Sequence, residues 1–378
     1  MKTTYINAKI YNSETMDFDC GNVTVDDGYI TGVGLGDIDE GDTVIDLNGD
    51  YLVPGLVDIH THGRAGGDFV CADRELLEKM LASYLNSGVT SLLPTLASEE
   101  FEGLLSAIDR ISCFAGEGSI IEGIHLEGRY LNPKKRGAHA SHLLAALEAD
   151  ELEKIIARMQ SSGKVHVSAA LELDTNGEFT KRGLSMGATL SIGHTEATYA
   201  QAMLALERGA RSFTHLFNTM PPLHHREGGA VAAALTSKDA YAELIVDGFH
   251  VSPEMVKLAY MMKKEALVLI TDSMEATGMP DGEYRIAGLP VTVKDGKART
   301  HEGAIAGSTL SLIDGVKNLS EYAGISFGEA LYNATAAPAK LIGIYDKVGS
   351  IDAGKKANML VLGEKYDVKA VIFGGKTV

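Results

Sequence analysis

Residues 54–63 of the chain read PGLVDIHTHG, an apolar run that ends in two histidines. A short apolar run bounded by proline and glycine is typical of a buried strand. Because successive side chains of a strand point to opposite faces, His60 and His62 are expected on the same face. Two imidazoles on one face can bind the same metal ion. This segment therefore predicts a buried strand that ends in a candidate metal site.

The same pattern continues along most of the chain. After the run at 56–60, further strand-like runs lie at residues 91–96, 120–125, 165–171, 189–192, 212–216, 241–246 and 267–270. Helical periodicity separates most of them, at residues 74–86, 101–111, 151–159, 198–208 and 253–264. Eight strands over about 290 residues give roughly 36 residues per unit, which favours a (β/α)8 TIM-like barrel of the α/β class. A doubly wound open sheet is the alternative.

The two ends of the chain differ from its middle. Residues 1–50 alternate polar and apolar positions in short runs, and Asp27-Gly28 between two of these runs predicts a hairpin. The C-terminal residues show the same alternation. We therefore expect a small β-sandwich domain formed by residues 1–52 together with 344–378, and a catalytic barrel formed by residues 53–343.

Composition narrows the choice of partners. The 378 residues carry a formal net charge of -17, which argues against nucleic acid or an anionic membrane surface. An anionic ligand would therefore need a few local cations. The N-terminal segment lacks an apolar signal region, and the apolar stretches are too short to cross a bilayer. Three scattered cysteines, at positions 20, 71 and 113, suit a reducing cytoplasm.

Metal-ligating residue types recur where the predicted strands end. The third strand ends in Glu127, the fifth is followed by His194, the sixth by His215 and the eighth by Asp272. The carboxyl ends of barrel strands are where such folds build their chemistry. Nitrogen and oxygen donors without thiolate suit Zn, Fe, Mn, Co or Ni, and a carboxylate between histidines can bridge two ions. Such ions lower the pKa of water from about 16 to near 7, which the hydrolysis of an amide needs.

Several longer motifs carry a resemblance to a known family. These are PGLVDIHTHG, HLEGRYLNPKKRGAH, SIGHT, THLFNTMPPLHHREGG, VDGFH, ITDSM and AGSTL. Together they closely resemble the N-acetylglucosamine-6-phosphate deacetylases of the amidohydrolase superfamily, and the similarity runs along the whole chain. The resemblance implies hydrolysis of N-acetylglucosamine 6-phosphate to glucosamine 6-phosphate and acetate, in amino-sugar catabolism or recycling.

The resemblance also implies a metal cage and a catalytic group. In the family, the HLEG glutamate is the central ligand and two histidines complete its shell. The matching residues here are Glu127, His194 and His215. A histidine pair such as His60 and His62 binds a second ion, so one or two divalent ions per subunit are implied. Asp272 matches the aspartate that serves as general acid/base and as a further ligand.

Other positions resemble residues that bind the substrate. Sugar contacts are implied at Ala138, His139, Asn218, Thr219, Ala306, Gly307 and Ser308. His250 and Arg226 resemble a phosphate-binding pair in which the arginine comes from the neighbouring subunit. The resemblance therefore implies a homodimer, and it supplies the cations that an acidic chain needs for an anionic amino-sugar phosphate.

The sequence departs from the family pattern at two positions. Arg129 stands where proline usually follows HLEG. Contact with the substrate is one alternative for it, and we expect instead that it pairs with an acidic neighbour. Thr219 replaces a more usual alanine and adds a hydroxyl. Outside the matched motifs, we expect His125 to support the metal ligands and His166 to be a satisfied core residue.

Three other functions remain as alternatives. Cyclic-amide hydrolases of the superfamily typically bridge their metals with a carbamylated lysine on the fourth strand. That strand ends VHVSAALELD here and offers no lysine. A deacetylase of N-acetylgalactosamine 6-phosphate differs in one hydroxyl of its substrate, and the sequence does not separate the two epimers. A non-catalytic sugar-phosphate sensor on the same fold is the third alternative.

Overall fold

The structure is a computed structural model that describes residues 2–34, 43–159, 163–301 and 303–378. Residues 1 and 35–42 of the expected small domain lie outside this range. The first strands are β1 (Thr3–Asn12), β2 (Asp17–Asp26), β3 (Tyr29–Gly34), β4 (Thr43–Asp46), β5 (Tyr51–Pro54), β6 (Leu56–Thr61), β7 (Gly63–Arg64), β8 (Gly67–Asp68), β9 (Val89–Leu96), β10 (Gly123–Glu127) and β11 (Lys164–Ala169). They are followed by β12 (Thr189–Ile192), β13 (Ser212–Phe213), β14 (Tyr241–Ile245), β15 (Leu267–Ile270), β16 (Gly282–Ile286), β17 (Leu289–Lys294), β18 (Lys297–Thr300), β19 (Met359–Leu362), β20 (Val368–Phe373) and β21 (Lys376–Thr377).

Eight parallel strands form the predicted barrel. They pair in the order β6, β9, β10, β11, β12, β13, β14 and β15, and each coincides with one of the runs predicted from the sequence. The last strand returns to the first, because the N–H of Asp272 donates to the carbonyl of His60 at 2.9 Å. An open doubly wound sheet would hold these two residues far apart. The barrel prediction is therefore confirmed.

Helices cover the outside of the barrel. They are α1 (Arg74–Asn86), α2 (Phe101–Ser112), α3 (Ala149–Met159), α4 (Glu178–Ser185), α5 (Tyr199–Glu207), α6 (Gly229–Thr236), α7 (Pro253–Lys263), α8 (Leu312–Ala323), α9 (Phe327–Tyr332) and α10 (Ala336–Leu341). The sequence predicted α1, α2, α3, α5 and α7. The sequence did not predict α6. The GAVAAALT segment that forms this helix is buried at most positions, so it lacks the polar face that shows a 3.6-residue period. No described helix approaches the roughly 20 apolar residues that a bilayer-spanning helix requires.

The two ends of the chain meet in one sheet, as expected. Its strands run in the order β21, β20, β19, β5, β1, β2 and β3, and β4 pairs with β1. The junction lies between β5 and β19, where Leu52 is the partner of Val361. An apolar cluster that includes Tyr5, Ile10 and Val23 gives this sheet its own core.

A three-stranded antiparallel sheet that the sequence did not predict follows the barrel. We call β16–β18 the hairpin sheet. Its two turns are Ala287-Gly288 and Asp295-Gly296, and all four of these residues have positive φ, as type I′ turns require. Its side chains pack in a separate small cluster formed by Met274, Ala276, Ile286, Val291, Val293, Ala298 and Ala306.

Candidate active site

A cavity of about 310 Å³ opens at the carboxyl ends of the barrel strands. It is lined by His62, Glu127, Gly137, Ala138, His139, His194, His215, Asn218, Thr219, His250, Asp272, Ile286, Ala287, Ala304, Ile305, Ala306 and Gly307. Most of the residues singled out from the sequence therefore lie around one space. The hairpin sheet and the segment after it contribute the apolar part of the wall.

Glu127 lies between two pairs of histidines. Its Oε1 is 3.2 Å from Nε2 of His194 and 2.9 Å from Nε2 of His215. Its Oε2 is 3.3 Å from Nε2 of His60 and 2.9 Å from Nε2 of His62. All five residues are buried. Each oxygen thus serves a different histidine pair, which is the arrangement that a carboxylate bridging two ions requires.

Asp272 adds a second carboxylate on the side of the first-strand histidines. Its Oδ1 lies 3.2 Å from Nε2 of His62 and 3.6 Å from Nε2 of His60. The hydrogen bond that closes the barrel, from the Asp272 N–H to the His60 carbonyl, fixes this proximity. Asp272 lines the cavity, so its carboxylate can contact a ligand as well as the histidines. We call the six residues His60, His62, Glu127, His194, His215 and Asp272 the cage.

Left-handed backbone conformations turn the cage residues inward. His194 has a φ of 46°, His215 of 26° and Asp272 of 47°. Each follows the last residue of its strand by two positions. Non-glycine residues in this region store strain, and such strain collects at functional sites. The inward direction of these side chains is thus maintained against a local backbone preference.

Without a cation, protons on the imidazoles balance the buried carboxylates. Burial alone would raise the pKa of Glu127, but His60, His194 and His215 outweigh it and hold that pKa well below its usual range. Burial would favour a neutral His62, yet Asp272 and Glu127 raise its pKa to about 9. The two carboxylates therefore remain charged and attract positive charge into the cage.

The cage residues fit a divalent metal ion. One candidate group consists of His60, His62, Glu127 and Asp272, and a second contains Glu127, His139 and His194. In both, the possible ligand atoms lie within 4.8 Å of one another. The Nε2 atom of His60 is fully buried, faces the carboxylates and has no hydrogen-bond partner among the described residues. A buried nitrogen without a partner costs free energy, and coordination to a metal removes that cost.

The residues expected to contact the sugar and its phosphate divide between the cavity and other places. Ala138, Asn218, Thr219, Ala306 and Gly307 line the cavity. Ser308 does not, since its hydroxyl donates to the Thr271 carbonyl at 2.5 Å. Arg226 is exposed and lines a separate surface cavity beside Tyr199 and Glu227.

Two further histidines of the cavity have defined orientations. His139 Nδ1 accepts the Ser98 backbone N–H at 3.3 Å, so the ring proton lies on Nε2. Burial, and next the nearby His194, lower the pKa of His139 to about 3, which keeps its ring neutral. His250 Nδ1 lies 2.7 Å from a carboxylate oxygen of Asp247, and this contact fixes the plane of the ring.

The pairing expected for Arg129 is confirmed. Its guanidinium bonds to the Glu151 carboxylate, with Nη2 3.1 Å from both oxygens. Its Nη1 donates to the Glu99 carbonyl at 2.9 Å. The cation therefore braces the loop after β10 from outside the cavity.

A buried carboxylate that the sequence did not reveal lies beneath the cage. Glu243 on β14 accepts from Nδ1 of His60 at 3.1 Å and from Nε2 of His166 at 2.8 Å. The signal for it was a charged residue inside the otherwise apolar run YAELI, at a position too deep to be a strand end. His166 is a core residue, as expected, with one ring nitrogen bonded to Glu243. His125 bonds to Thr95 and Ser168 rather than to a cage residue.

A buried cage of histidines and carboxylates at the carboxyl ends of a (β/α)8 barrel is the arrangement of a metal-dependent hydrolase. Residues 51–378 match the amidohydrolase family, and the chain belongs to that family. Within it, the chain is similar to named deacetylases of amino-sugar phosphates along nearly its whole length, which confirms the resemblance seen in the sequence motifs.

Three of these relatives illustrate the similarity. The N-acetylgalactosamine-6-phosphate deacetylase of Escherichia coli O157:H7 is 36% identical over 88% of this chain and 89% of its own. The N-acetylglucosamine-6-phosphate deacetylase of Vibrio furnissii is 32% identical over 94% of this chain and 90% of its own. The crystal structure of N-acetylglucosamine-6-phosphate deacetylase from Pasteurella multocida superposes with a TM-score of 0.94, covers 100% of both chains and is 31% identical.

Proposed function

We propose that this protein hydrolyses the N-acetyl amide of N-acetylglucosamine 6-phosphate and releases glucosamine 6-phosphate and acetate. The observation that carries the proposal is the division of the two Glu127 oxygens between two histidine pairs, with Asp272 beside them on the wall of the cavity. Relatives with the name of this activity match the chain over most of its length.

The cage would hold one or two divalent ions through nitrogen and oxygen donors. Glu127, His194 and His215 would hold one ion, and His60 and His62, with Asp272 as a further ligand, the other. Donors of this kind suit Zn, Fe, Mn, Co or Ni. When bound, such an ion supplies an activated water at neutral pH and polarises the acetyl carbonyl.

Asp272 is the proposed general acid/base. Its pKa is lowered, because His60 and His62 outweigh the opposing effect of burial, so the group begins as a carboxylate. It takes a proton from the attacking water and then donates that proton to the amide nitrogen, since an amine leaves only when it is protonated. The cleaved bond is the amide C–N bond, and the water oxygen ends in acetate.

His139 is the proposed donor to the acetyl oxygen or to a sugar hydroxyl. Its proton lies on Nε2, since Nδ1 accepts from the Ser98 backbone. Its Nε2 is 3.8 Å from Glu127, at the edge of the cage. A neutral imidazole can donate this proton without adding charge to an already crowded site.

We assign the phosphate to His250 within the protomer and to Arg226 of a second protomer. His250 lines the cavity, whereas Arg226 is exposed and lies outside it, so it would reach a phosphate only across an interface. A homodimer of this kind would provide a strong cation for an anionic substrate in a chain of net charge -17.

We also propose the limits of two domains and the cellular compartment of the protein. We divide the chain into a small β domain, residues 1–52 with 344–378, and a catalytic barrel, residues 53–343. All three cysteines are unpaired and exposed. Free thiols at the surface are typical of a reducing compartment, and we propose the cytoplasm.

An acetate-release assay with matched metal analysis tests the function. The purified protein is given N-acetylglucosamine 6-phosphate or its galactosamine epimer, and the metal content of the same sample is measured. We expect a higher kcat/KM for the glucosamine substrate. A higher value for the epimer would transfer the function to galactosamine, which the 36% identical relative makes a specific alternative. If metal-replete protein releases no acetate from either sugar, the deacetylase proposal is wrong and the non-catalytic sensor becomes the favoured alternative.

A further inference from the structure

Glu243 is a carboxylate enclosed by the interior of the barrel. It lies in the middle of β14, its side chain is fully buried, and its strand neighbours Ala242 and Leu244 are buried as well. An ionised carboxylate in such a place is costly unless hydrogen bonds compensate it. Its two oxygens each meet one imidazole nitrogen, from His60 at 3.1 Å and from His166 at 2.8 Å.

The bond to His60 determines which ring nitrogen faces the cage. A carboxylate only accepts hydrogen bonds, so the proton of the shared bond lies on His60 Nδ1. That leaves Nε2, directed at Glu127 and Asp272 at 3.3 and 3.6 Å, to provide a lone pair. If the ring were flipped, a carbon atom would face the cage, and if the proton were on Nε2, an N–H would face it. Neither group can coordinate a metal.

On the other side of the cage, a backbone carbonyl rather than a carboxylate orients His194. His194 Nδ1 donates to the backbone carbonyl of Lys135 at 2.7 Å, so its Nε2 is fixed by the chain itself. His215 and His194 share Oε1 of Glu127 and do not contact Glu243. Apart from Glu127, which both histidine pairs share, His60 and His194 therefore depend on separate hydrogen bonds for their orientation.

We propose that Glu243 is a positioning residue that sets the affinity of the His60/His62 half of the cage for a divalent ion, and leaves the His194/His215 half unaffected. The inference rests on the metal cage of the proposed function. Its readout is metal binding, so it stands or fails independently of acetate release.

Zinc titration of the Glu243→Gln variant tests the proposal. Glutamine keeps the shape but can turn its amide N–H toward His60, which removes the requirement for a proton on Nδ1. Carboxylates that orient histidine ligands typically account for about 10- to 100-fold in metal affinity. In competition with a chromophoric chelator, we expect one of two zinc sites in the full-length variant to weaken by about that factor, and the other to keep its wild-type Kd.

A matched control is Ser168→Ala. Ser168 is also a buried polar residue of the barrel interior, and it bonds to His125 and Thr214 without touching His60. We expect both zinc affinities of this variant to equal those of wild type. Equal weakening of both sites in Glu243→Gln, or an unchanged pair of affinities, would overturn the proposal.

A double variant separates positioning from general destabilisation. If Glu243 acts through His60, then Glu243→Gln has no further effect on zinc affinity in a His60→Asn background. An effect of the same size in both backgrounds contradicts the proposal. Wild-type protein loaded with zinc provides a check that does not depend on the folding of Glu243→Gln. Its NMR spectrum should show a slowly exchanging imidazole N–H that is missing in His60→Asn, and a wild-type spectrum without it rejects the bond.

Discussion

The Nε2 atoms of His194 and His215 lie only 3.1 Å apart. The other ring nitrogen of His194 donates to the Lys135 carbonyl, so a neutral His194 directs a lone pair at His215. Two lone pairs at this distance repel, and a proton or a cation between them removes the repulsion. Although burial opposes it, Glu127 raises the pKa of His215, which favours a proton in this position in the metal-free protein. We therefore expect metal uptake to release protons.

The metal-free protein should lose stability as the pH rises from about 6.5 to 8. Asp272 and Glu127 outweigh burial and raise the pKa of His62 to about 9, whereas a histidine of the unfolded chain titrates near 6.5. The folded state therefore retains a proton that the unfolded state releases in this interval. Above pH 8 the effect is opposed, because burial lowers the pKa of Lys263 to about 8.

Thermal unfolding at several pH values checks this expectation. Chelator-treated protein should show a falling Tm between pH 6.5 and 8, and zinc-loaded protein should not, because the bound ion replaces the protons. A metal-free Tm that rises over the interval would contradict the assignment of protons to the cage.

Asp272→Asn should abolish turnover and preserve binding. Asparagine has nearly the same shape but cannot shuttle a proton, and general acid/base groups typically contribute about 10²- to 10⁴-fold to the rate. The measurement is kcat from acetate release, with zinc content and binding of N-acetylglucosamine 6-phosphate as controls. A kcat near that of wild type would exclude this role for Asp272.

Arg226→Ala should raise the KM for the phosphorylated sugar much more than the KM for N-acetylglucosamine. A hydrogen bond to a charged group contributes about 1.5–3 kcal/mol, which corresponds to roughly tenfold to a hundredfold in KM. Arg211→Ala, at an exposed arginine that directly precedes β13 at the opposite end of the barrel, is the matched control. An equal rise in KM for both sugars would show that Arg226 does not bind the phosphate.

Arg129→Met should destabilise the fold and leave the chemistry intact. Methionine keeps the apolar stem but loses the bidentate bond to Glu151, at a cost of about 1–3 kcal/mol. Denaturant unfolding of Arg129→Met, Glu151→Gln and the double variant measures the coupling between them. We expect kcat close to that of wild type, and a large fall in kcat with unchanged stability would place Arg129 in the active site instead.

The metal cage was accessible from the sequence because its residues stand at strand ends. An apolar run followed by histidine or aspartate is visible without any knowledge of pairing, and the barrel brings all such ends to one face. His60, Glu127 and Asp272 were found in this way. Arg129 could be given an acidic partner because a cation beside a buried carboxylate needs one.

Glu243 and the hairpin sheet were missed for different physical reasons. Glu243 lies within a strand whose other residues are buried except for the half-buried Tyr241, so alternation gives no sign of the face it occupies. The hairpin sheet carries a clear Asp295-Gly296 turn signal, but the expected repeat of strand and helix has no place for an antiparallel insertion. The positions of Ser308 and Arg226 relative to the cavity depend on loop conformation, which a single sequence does not encode locally.

The hairpin sheet packs on an apolar cluster of its own, whereas the cage is built from the ends of the barrel strands. The apolar wall that the hairpin sheet gives to the cavity and the cage therefore rest on different apolar contacts. Ile286 and Ala287 line the cavity and are not cage residues, so we expect substitutions there to change the shape of the cavity and to leave the cage intact. The relatives of this chain are named for two epimeric sugars. Substitutions in the hairpin sheet could therefore change which sugar the cavity accepts, while an unchanged cage keeps the same reaction. Natural divergence and enzyme engineering can both use this separation.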